Sequence, residues 1–222
     1  MLSLYESNGL VIWNQRQITL RNMIKAHFVN EITACLTEIN SAWRIIEMES
    51  SILTPQKLVN PNYTAHDIFI THSGLVLRPE TTMGSYVYAK YLLESHLKIR
   101  LPLCVWQSGK SFRQEQDQPL SKVKLKEFYQ LEFQCIYSPS TGVDYMTIMP
   151  NKIARMIQSI VGNTFLVASD RLPNYSEKTM DIEVNGMEVC SISQRKDFEN
   201  AKVLEIAIGL DRCVYNWELN NQ

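Results

Sequence analysis

The chain has 222 residues, which suits one large domain, or one domain with a small appendage, and leaves little room for two full domains. Apolar residues make up 45% of the sequence, and 22 Lys and Arg residues nearly balance 23 Asp and Glu residues, for a formal charge of −1. This composition indicates a globular protein. The near-zero charge argues against a protein that coats nucleic acid non-specifically, because such binding neutralises many phosphates.

The sequence contains no recognisable signal for export or for a membrane span. Its start lacks a basic segment followed by a long apolar stretch, and no run of about 18 uncharged apolar residues occurs. The cysteines are odd in number, widely separated and never form a Cys-x-x-Cys pair: Cys35, Cys104, Cys135, Cys190 and Cys213. We therefore expect reduced thiols in a cytoplasmic protein, with no structural zinc and no membrane partner.

Apolar residues at three- and four-residue steps predict three helices. The first covers roughly residues 19–39, and its apolar face consists of Leu20, Ile24, Phe28, Ile32, Leu36 and Ile39. This face needs either a sheet or a partner chain to cover it. A second helix is predicted after Gly84. A third is predicted to begin at Pro150, because proline suits the first helical turn, where its missing N–H is not needed.

Extended segments lie between these helices, at 66–71, 75–78, 103–113 and 128–137. The dipeptide Asn185-Gly186 fits a type I′ turn, and it predicts a hairpin of strands 180–184 and 187–193. A last apolar strand breaks at Gly209, and the helix that follows starts with Asp211-Arg212. No repeat or linker interrupts the chain. One α+β domain over residues 1–222, an antiparallel β-sheet flanked by helices, is the simplest prediction.

One set of polar residues lies where strand 103–113 and the returning strand meet. Arg113 and Glu115 are two apart and share a face if the chain is extended, and Phe128 begins the returning strand. The connecting loop holds three lysines: Lys122, Lys124 and Lys126. Such a set can hold a nucleotide, with guanidinium on phosphate, carboxylate on the exocyclic amine and the ring on the base. The alternative is a surface cross-strand pair with a solvated hairpin tip.

A second set is Asp211-Arg212 at the start of the last helix. An arginine beside the N–H groups of a helix N-terminus attracts anions such as a polyphosphate. The alternative is that Asp211 caps the helix and Arg212 pairs with a surface acid. Neither set alone decides the function.

Taken in order, these segments resemble the class II aminoacyl-tRNA synthetases, and within that class the glycyl-tRNA synthetases of the dimeric type. The earlier matches are residues 20–25 (LRNMIK), 50–55 (SSILTP) and 77–81 (LRPET), followed by Gly84. The later matches are 109–115 (GKSFRQE), 126–133 (KEFYQLEF), Tyr175-Ser176 with 181–183 (DIE), 192–198 (ISQRKDF) and 209–212 (GLDR). The matches keep the order of the family over about residues 8–218.

The resemblance implies that the chain activates an amino acid, glycine, with ATP and Mg²⁺, and transfers it to the acceptor end of a tRNA or to a related acceptor. It also implies a homodimer, because the motif 1 helix and strand form a two-fold interface in this class. Family members carry a C-terminal anticodon-binding domain of about 100 residues. Because only 10 residues follow Arg212, we expect a single catalytic domain without it.

The resemblance also assigns roles at the nucleotide end of the site. Arg113 would grip the α-phosphate and the amino-acid carboxylate, Glu115 would accept from the adenine amino group, and Phe128 would stack on adenine. Arg212 would hold the γ-phosphate and sandwich the base. Glu188 would lie at the magnesium ion on the ATP phosphates.

The same resemblance places the amino-acid pocket and the RNA contacts. Carboxylates would surround the substrate ammonium, and the pocket residues are Glu80, Glu132, Glu205, Ser193 and Ala207. The loop lysines Lys122, Lys124 and Lys126 would contact RNA.

Two departures from the family pattern bear on activity. Ala207 stands where the family has a serine in the glycine pocket, and loss of that hydroxyl weakens or changes amino-acid choice. Lys124 and Lys126 replace arginines, and lysine cannot make a bidentate contact. Two alternatives stay open: a catalytically inactive paralogue that acts as a nucleic-acid-binding or accessory subunit, and an amino acid:carrier-protein ligase.

Overall fold

The computed structural model describes residues 8–95, 99–114, 124–169 and 174–221. The α-helices in this part of the chain are α1 (Gln15–Ile39), α2 (Thr82–Glu94), α3 (Tyr145–Ile160) and α4 (Leu210–Asn220). The strands of the large sheet are β1 (Arg44–Glu47), β5 (Leu103–Phe112), β6 (Glu127–Tyr137), β7 (Thr164–Ala168), β8 (Ser176–Val184), β9 (Met187–Arg195) and β10 (Lys202–Gly209). A small sheet contains β2 (Leu53–Pro55), β3 (Phe69–Ile70) and β4 (Leu75–Leu77), and a short 3₁₀ helix (Gln56–Leu58) follows β2.

The large sheet has the strand order β1-β5-β6-β10-β9-β8-β7. Every neighbouring pair is antiparallel except β1 and β5, which run parallel, with Arg44 opposite Leu103. The predicted α+β class, an antiparallel sheet flanked by helices, is therefore confirmed, with the refinement that one edge strand makes the sheet mixed. Parallel pairing is possible there because the chain between β1 and β5 makes a long crossover through the small sheet and α2.

Helix α1 begins four residues before its predicted start. Asn14 caps it: the Asn14 side chain accepts from the Gln17 N–H at 3.0 Å, and the Gln17 side chain accepts from the Asn14 N–H at 3.2 Å. The prediction followed the apolar stripe, whereas this polar capping box fixes the start. The buried face packs with α3 and α4 against the sheet and includes Leu20, Ile24, Phe28, Ile32 and Leu36. Since the sheet covers this face, the face gives no argument for a dimer.

Helix α3 begins at Tyr145, so the predicted start at Pro150 is wrong. The cap is Asp144, which accepts from the Thr147 N–H at 3.1 Å and from the Thr147 hydroxyl at 2.7 Å. Pro150 therefore lies in the second turn, where it removes one helical hydrogen bond. The helix continues through Pro150 because Asp144 caps it and because residues before the proline, including Met146, are buried.

The hairpin predicted at Asn185-Gly186 is confirmed. Both residues have positive φ, 52° and 71°, as a type I′ turn requires. The strands are longer than predicted, because β8 and β9 extend the pairing away from the turn. The edge strands β1 and β7 were not predicted, since each is only four or five residues long.

The two faces of the large sheet differ in polarity. One face is apolar and lies under α1, α3 and α4. The opposite face is apolar only at the end covered by α2, where Val105, Ile136 and Val203 pack. The rest of that face is polar and forms the floor of the site described below. Among the described residues, no helix combines the length and the apolar character needed to cross a membrane.

Candidate active site

Buried polar side chains line one face of the central strands. In the strand register, Glu132 of β6 lies between Gln107 of β5 and Ala207 of β10, and Glu205 of β10 lies between its neighbours on β6 and β9. Side chains alternate along each strand, so residues opposite one another share a face. The buried polar members of this floor include Gln107, Gln130, Glu132, Gln134, Ser193, Arg195 and Glu205. Acidic and basic groups are rarely buried without a partner, which marks this face as a candidate site.

Three carboxylates meet on this floor beside the start of α2. The Thr81 hydroxyl donates to Glu132, and the Thr82 hydroxyl donates to Glu205 at 2.9 Å. Glu80 immediately precedes these threonines and is itself buried. The positive end of the α2 dipole favours negative charge at this place.

The buried Arg195 guanidinium supplies positive charge to the cluster. It donates to Glu205 at 2.7 Å and to Asp197 at 2.6 Å and 3.1 Å, and its carbon lies 3.8 Å from the centre of the Tyr175 ring. Burial by itself would lower the pKa of Arg195, but Glu205 and Asp197 outweigh burial and raise that pKa. Arg195 was not predicted as a site residue. Its only sequence signal is its place in the matched segment 192–198.

The cluster still holds more carboxylates than guanidinium groups. Burial, together with Glu205 and Glu80, raises the pKa of Glu132 to about 7. Burial also raises the pKa of Glu80. One oxygen of Glu80, Oε2, accepts from the Tyr63 hydroxyl at 3.1 Å, while Oε1 is buried without a partner among the described residues. A cation placed at this oxygen would be stabilised by all three carboxylates.

A network around Gln107 holds the segment that carries Glu80. The Gln107 amide donates to the Thr81 carbonyl at 3.0 Å, and its oxygen accepts from the Ser50 N–H at 3.1 Å. Arg78 donates to the Ser50 carbonyl at 2.8 Å. These bonds tie the segment before α2 to β5 and to the chain after β1, and so fix where Glu80 points.

Arg113 lies directly after β5 at the other end of the same floor. Its Nε donates to the Pro79 carbonyl at 3.0 Å, and its guanidinium carbon lies 5.3 Å from the Phe128 ring centre and 5.4 Å from the Tyr63 ring centre. Arg113 and Phe128, which were predicted to act together, are therefore adjacent. The Pro79 contact also brings Arg113 next to the segment of Glu80.

Arg212 and Glu188 lie together where α4 begins. Arg212 donates to the Glu188 carbonyl at 2.8 Å, and its guanidinium is 3.5 Å from Oε1 of Glu188. The side chain of Arg212 passes over Gly209, where an added Cβ would lie 3.6 Å from its Cδ. The ion pair agrees with the alternative prediction that Arg212 contacts an acid, and it also places both residues at one end of the floor.

Asp211 does not cap α4, so that alternative prediction is wrong. The N-cap is Gly209 without a side-chain bond, and Asp211 instead accepts from the Tyr129 N–H of β6 at 2.8 Å. Strand β10 ends at Gly209, opposite Gln130, and leaves that N–H without a strand partner. The carboxylate of Asp211 takes the place of the missing strand carbonyl.

The remaining predicted site residues make fewer side-chain contacts with the carboxylate cluster or with Arg113. The Ser193 hydroxyl shares a hydrogen bond of 3.0 Å with Thr179, and Ala207 lies on the floor beside Glu132. Lys124 is exposed, and Lys126 contributes its backbone carbonyl to the Arg113 N–H at 3.0 Å. Glu115 and Lys122 lie outside the described residues.

Glu188 is the predicted contact of a magnesium ion on the ATP phosphates. Its carboxylate is half exposed, and no group of three or more His, Cys, Asp or Glu side chains in the described segments is arranged to hold a metal. Mg²⁺ commonly binds through one or two carboxylates and the phosphates of a substrate. Glu188 would add one carboxylate ligand to a magnesium ion that is already bound by phosphates, and it would not bind the ion alone.

Comparison with known proteins gives relatives by sequence and by structure. The chain is 33% identical over 117 residues to the glycine-tRNA ligase of Mesoplasma florum, a match covering 50% of this chain and 26% of that protein. It is 31% identical over 157 residues to the glycine-tRNA ligase of Macrococcus caseolyticus, a match covering 67% of this chain and 34% of that protein. The match thus spans about a third or less of these curated relatives. No protein-family model matches the chain.

Solved structures share the whole architecture. Prolyl-tRNA synthetase from Cryptosporidium parvum, complexed with halofuginone and AMPPNP, superposes with a TM-score of 0.74 over 96% of this chain and 48% of that one, at 15% identity. Prolyl-tRNA synthetase from Giardia lamblia, in complex with prolyl-adenylate, gives the same TM-score at 16% identity, over 96% of this chain and 48% of that one. The chain is therefore a class II aminoacyl-tRNA synthetase-like core, with the fold of that class and a sequence similar to its glycine-tRNA ligases.

Proposed function

We propose that this chain activates glycine with ATP to form an aminoacyl-adenylate and passes the glycyl group to the acceptor end of a tRNA. The observation that carries the proposal is the arrangement of the polar floor: Oε1 of Glu80 is buried without a partner among the described residues, and Arg113 donates to the carbonyl of the preceding residue, Pro79. A carboxylate cluster beside an arginine suits a zwitterion, which carries an ammonium group and a carboxylate a short distance apart.

The nucleotide would lie at the end of the floor formed by Arg113, Phe128 and Arg212. Phe128 offers a ring face to the adenine, and the two arginines offer positive charge to the phosphates. Arg212 also stands at the N-terminus of α4, where backbone N–H groups favour anions. Mg²⁺ bound to the phosphates would supply further charge neutralisation, with Glu188 as its protein contact.

The amino acid would lie between Glu80 and Arg113. The ammonium group would take the unpaired oxygen of Glu80, with Glu132 and Glu205 behind it, and the substrate carboxylate would face Arg113. Ala207 adds no hydroxyl to this pocket, so glycine would be held through its charged ends rather than through a hydrogen bond from that position.

In the reaction, an oxygen of the glycine carboxylate attacks the α-phosphorus of ATP. A new P–O bond forms, the bond to the bridging oxygen of the β-phosphate breaks, and pyrophosphate leaves. No protein nucleophile is needed, because Arg113 aligns the two reactants and stabilises the charge that builds on the α-phosphate. In the transfer step, a ribose hydroxyl of the RNA attacks the acyl carbon and an ester bond forms. The bond between the acyl carbon and the phosphate oxygen breaks, AMP leaves, and the hydroxyl proton is released to water.

The test is ATP–pyrophosphate exchange with each of the twenty amino acids. We expect exchange with glycine, weaker exchange with alanine or serine, and loss of exchange in Arg113→Ala while the far-UV circular dichroism stays unchanged. Absence of ATP binding by calorimetry in the wild-type protein would overturn the proposal. ATP binding without exchange would favour the inactive paralogue, and exchange without tRNA charging would favour the carrier-protein ligase.

We also propose a homodimer, supported by apolar surface outside the core. Leu53, Val87 and Tyr91 are 43%, 52% and 62% exposed, and they line one cavity of about 500 Å³ between β2 and α2. Exposed apolar patches of this kind mark interaction surfaces. We further propose RNA contact through Lys124 and Lys126, which directly precede β6 in the connection from β5. A cytoplasmic location is also proposed, and the free, buried state of all five cysteines supports it.

A further inference from the structure

We infer that Tyr63 is a specificity-determining residue, whose ring occupies the space beside the α-carbon and restricts the pocket to the smallest amino acids. This inference rests on the proposed function, in which Glu80 receives the ammonium group and Arg113 faces the carboxylate. Tyr63 lies in the loop between the 3₁₀ helix and β3, and no sequence pattern marked it as a site residue.

Tyr63 contacts both groups that would hold the two ends of the substrate. Its hydroxyl donates to Oε2 of Glu80 at 3.1 Å, and its ring centre lies 5.4 Å from the guanidinium carbon of Arg113. An α-amino acid that bridges Glu80 and Arg113 has its α-carbon between them. The tyrosine ring bridges the same two groups, so a side chain on that α-carbon would compete with the ring for space.

The loop keeps the ring in this place. The Tyr63 N–H donates to the Asn60 carbonyl at 3.0 Å, and the Thr64 N–H donates to the Asp67 carboxylate at 2.6 Å. The Asp67 carbonyl in turn accepts from the Gln114 N–H at 2.8 Å, which ties the loop to the residue next to Arg113. The ring is thus fixed by its hydroxyl at one end and by the loop at the other.

The ring and the hydroxyl of Tyr63 have separable effects. The ring excludes volume, so its removal should favour larger amino acids over glycine. The hydroxyl orients Glu80, whose carboxylate serves every amino acid equally, so its removal should weaken binding without changing the preference. Tyr63→Ala tests the first effect, and Tyr63→Phe tests the second.

The experiment measures kcat/KM for ATP–pyrophosphate exchange with glycine, alanine and serine in the wild type, Tyr63→Ala and Tyr63→Phe. Phe165→Ala is the matched control, because Phe165 is an aromatic residue that is 64% exposed on the edge strand β7. We expect Tyr63→Ala to raise the ratio of kcat/KM for alanine to kcat/KM for glycine at least about tenfold. Adding or removing one methyl group in an enclosed pocket changes kcat/KM on this scale. Tyr63→Phe should raise the KM for glycine and change the ratio less than about twofold.

The ratio is the decisive readout, because each protein has the same folded fraction in the assay with alanine as in the assay with glycine. A loss of stability in Tyr63→Ala lowers both rates and leaves the ratio unaffected. Glycine exchange in the wild type with an unchanged ratio in Tyr63→Ala would overturn this inference alone. Absence of exchange with every amino acid in the wild type would overturn the proposed function together with it.

Discussion

Asp211 should make the folded protein less stable as the pH rises toward neutrality. Asp211 is 6% exposed. Oδ2 of its carboxylate accepts from the Tyr129 N–H, and Oδ1 is buried without a partner in the described part of the chain. Burial raises its pKa from an ordinary value of 3.8 to about 7, although the Tyr129 N–H and the charges of Arg21 and Lys110 oppose the change. The folded state therefore holds a proton that the unfolded state has already released.

The size of the effect follows from proton linkage. A carboxyl group whose pKa is raised on folding stabilises the folded state fully below the unfolded pKa, and this stabilisation is lost as the pH rises through the folded pKa. For a pKa near 7 in the folded state and 3.8 in the unfolded state, the loss between pH 5 and pH 8 is about 2 to 3 kcal/mol. That is a large part of the stability of a domain of this size.

Asp211→Asn isolates this contribution, because the amide oxygen can still accept from the Tyr129 N–H but does not titrate. The free energy of unfolding of both proteins is measured by urea denaturation at pH 5 and pH 8. We expect the wild type to lose about 2 to 3 kcal/mol more than the variant over this interval, since all other titrating groups are shared. Equal losses in the two proteins would show that the carboxylate is ionised without cost in the fold, and the reasoning from burial would fail.

Other predictions concern the charge cluster, the pocket and the surface. Arg195→Gln leaves the buried Glu205 carboxylate without its counterion, so it should lower the free energy of unfolding by about 3 to 5 kcal/mol, measured by denaturant titration. A loss below about 1 kcal/mol would refute the pairing. Ala207→Ser should increase kcat/KM for glycine in the exchange assay by restoring a hydroxyl to the floor, and a decrease would show that this position does not face the substrate. Light scattering at micromolar concentration should give twice the chain mass for the wild type and a single chain mass for Tyr91→Glu. A wild-type monomer would contradict the proposed dimer.

Local patterns in the sequence predicted those helices and turns whose conformation is determined by residues close in the sequence. The apolar stripe of α1 and the Asn185-Gly186 turn appear in the structure because helix periodicity and turn chemistry act over short distances. Helix ends were less predictable. Pro150 suggested a start, but the Asp144 cap lies six residues earlier and decides the boundary.

The candidate site is formed by contacts between residues far apart in the sequence, and the spacing of residues along the chain does not predict such contacts. Glu132 and Glu205 become neighbours only because β10 inserts between β6 and β9, and the resemblance rather than the local pattern placed them together. Arg195 and Tyr63 reach the site from a strand end and a loop, so neither carried a signal of its own. The alternative in which Asp211 caps its helix is wrong, because an N–H on β6 without a strand partner binds the same carboxylate.

In the proposed pocket, the carboxylate cluster at the start of α2 would also link substrate binding to the proton balance of the solution. Because burial and its acidic neighbours raise the pKa of Glu132, the protonated form of this carboxyl group is favoured in the unliganded protein. A bound ammonium group favours the ionised form, so complex formation expels that proton into the buffer. If the proposed pocket binds an amino acid, the measured heat of binding will therefore depend on the ionisation enthalpy of the buffer, because a proton leaves Glu132 as the substrate ammonium group enters.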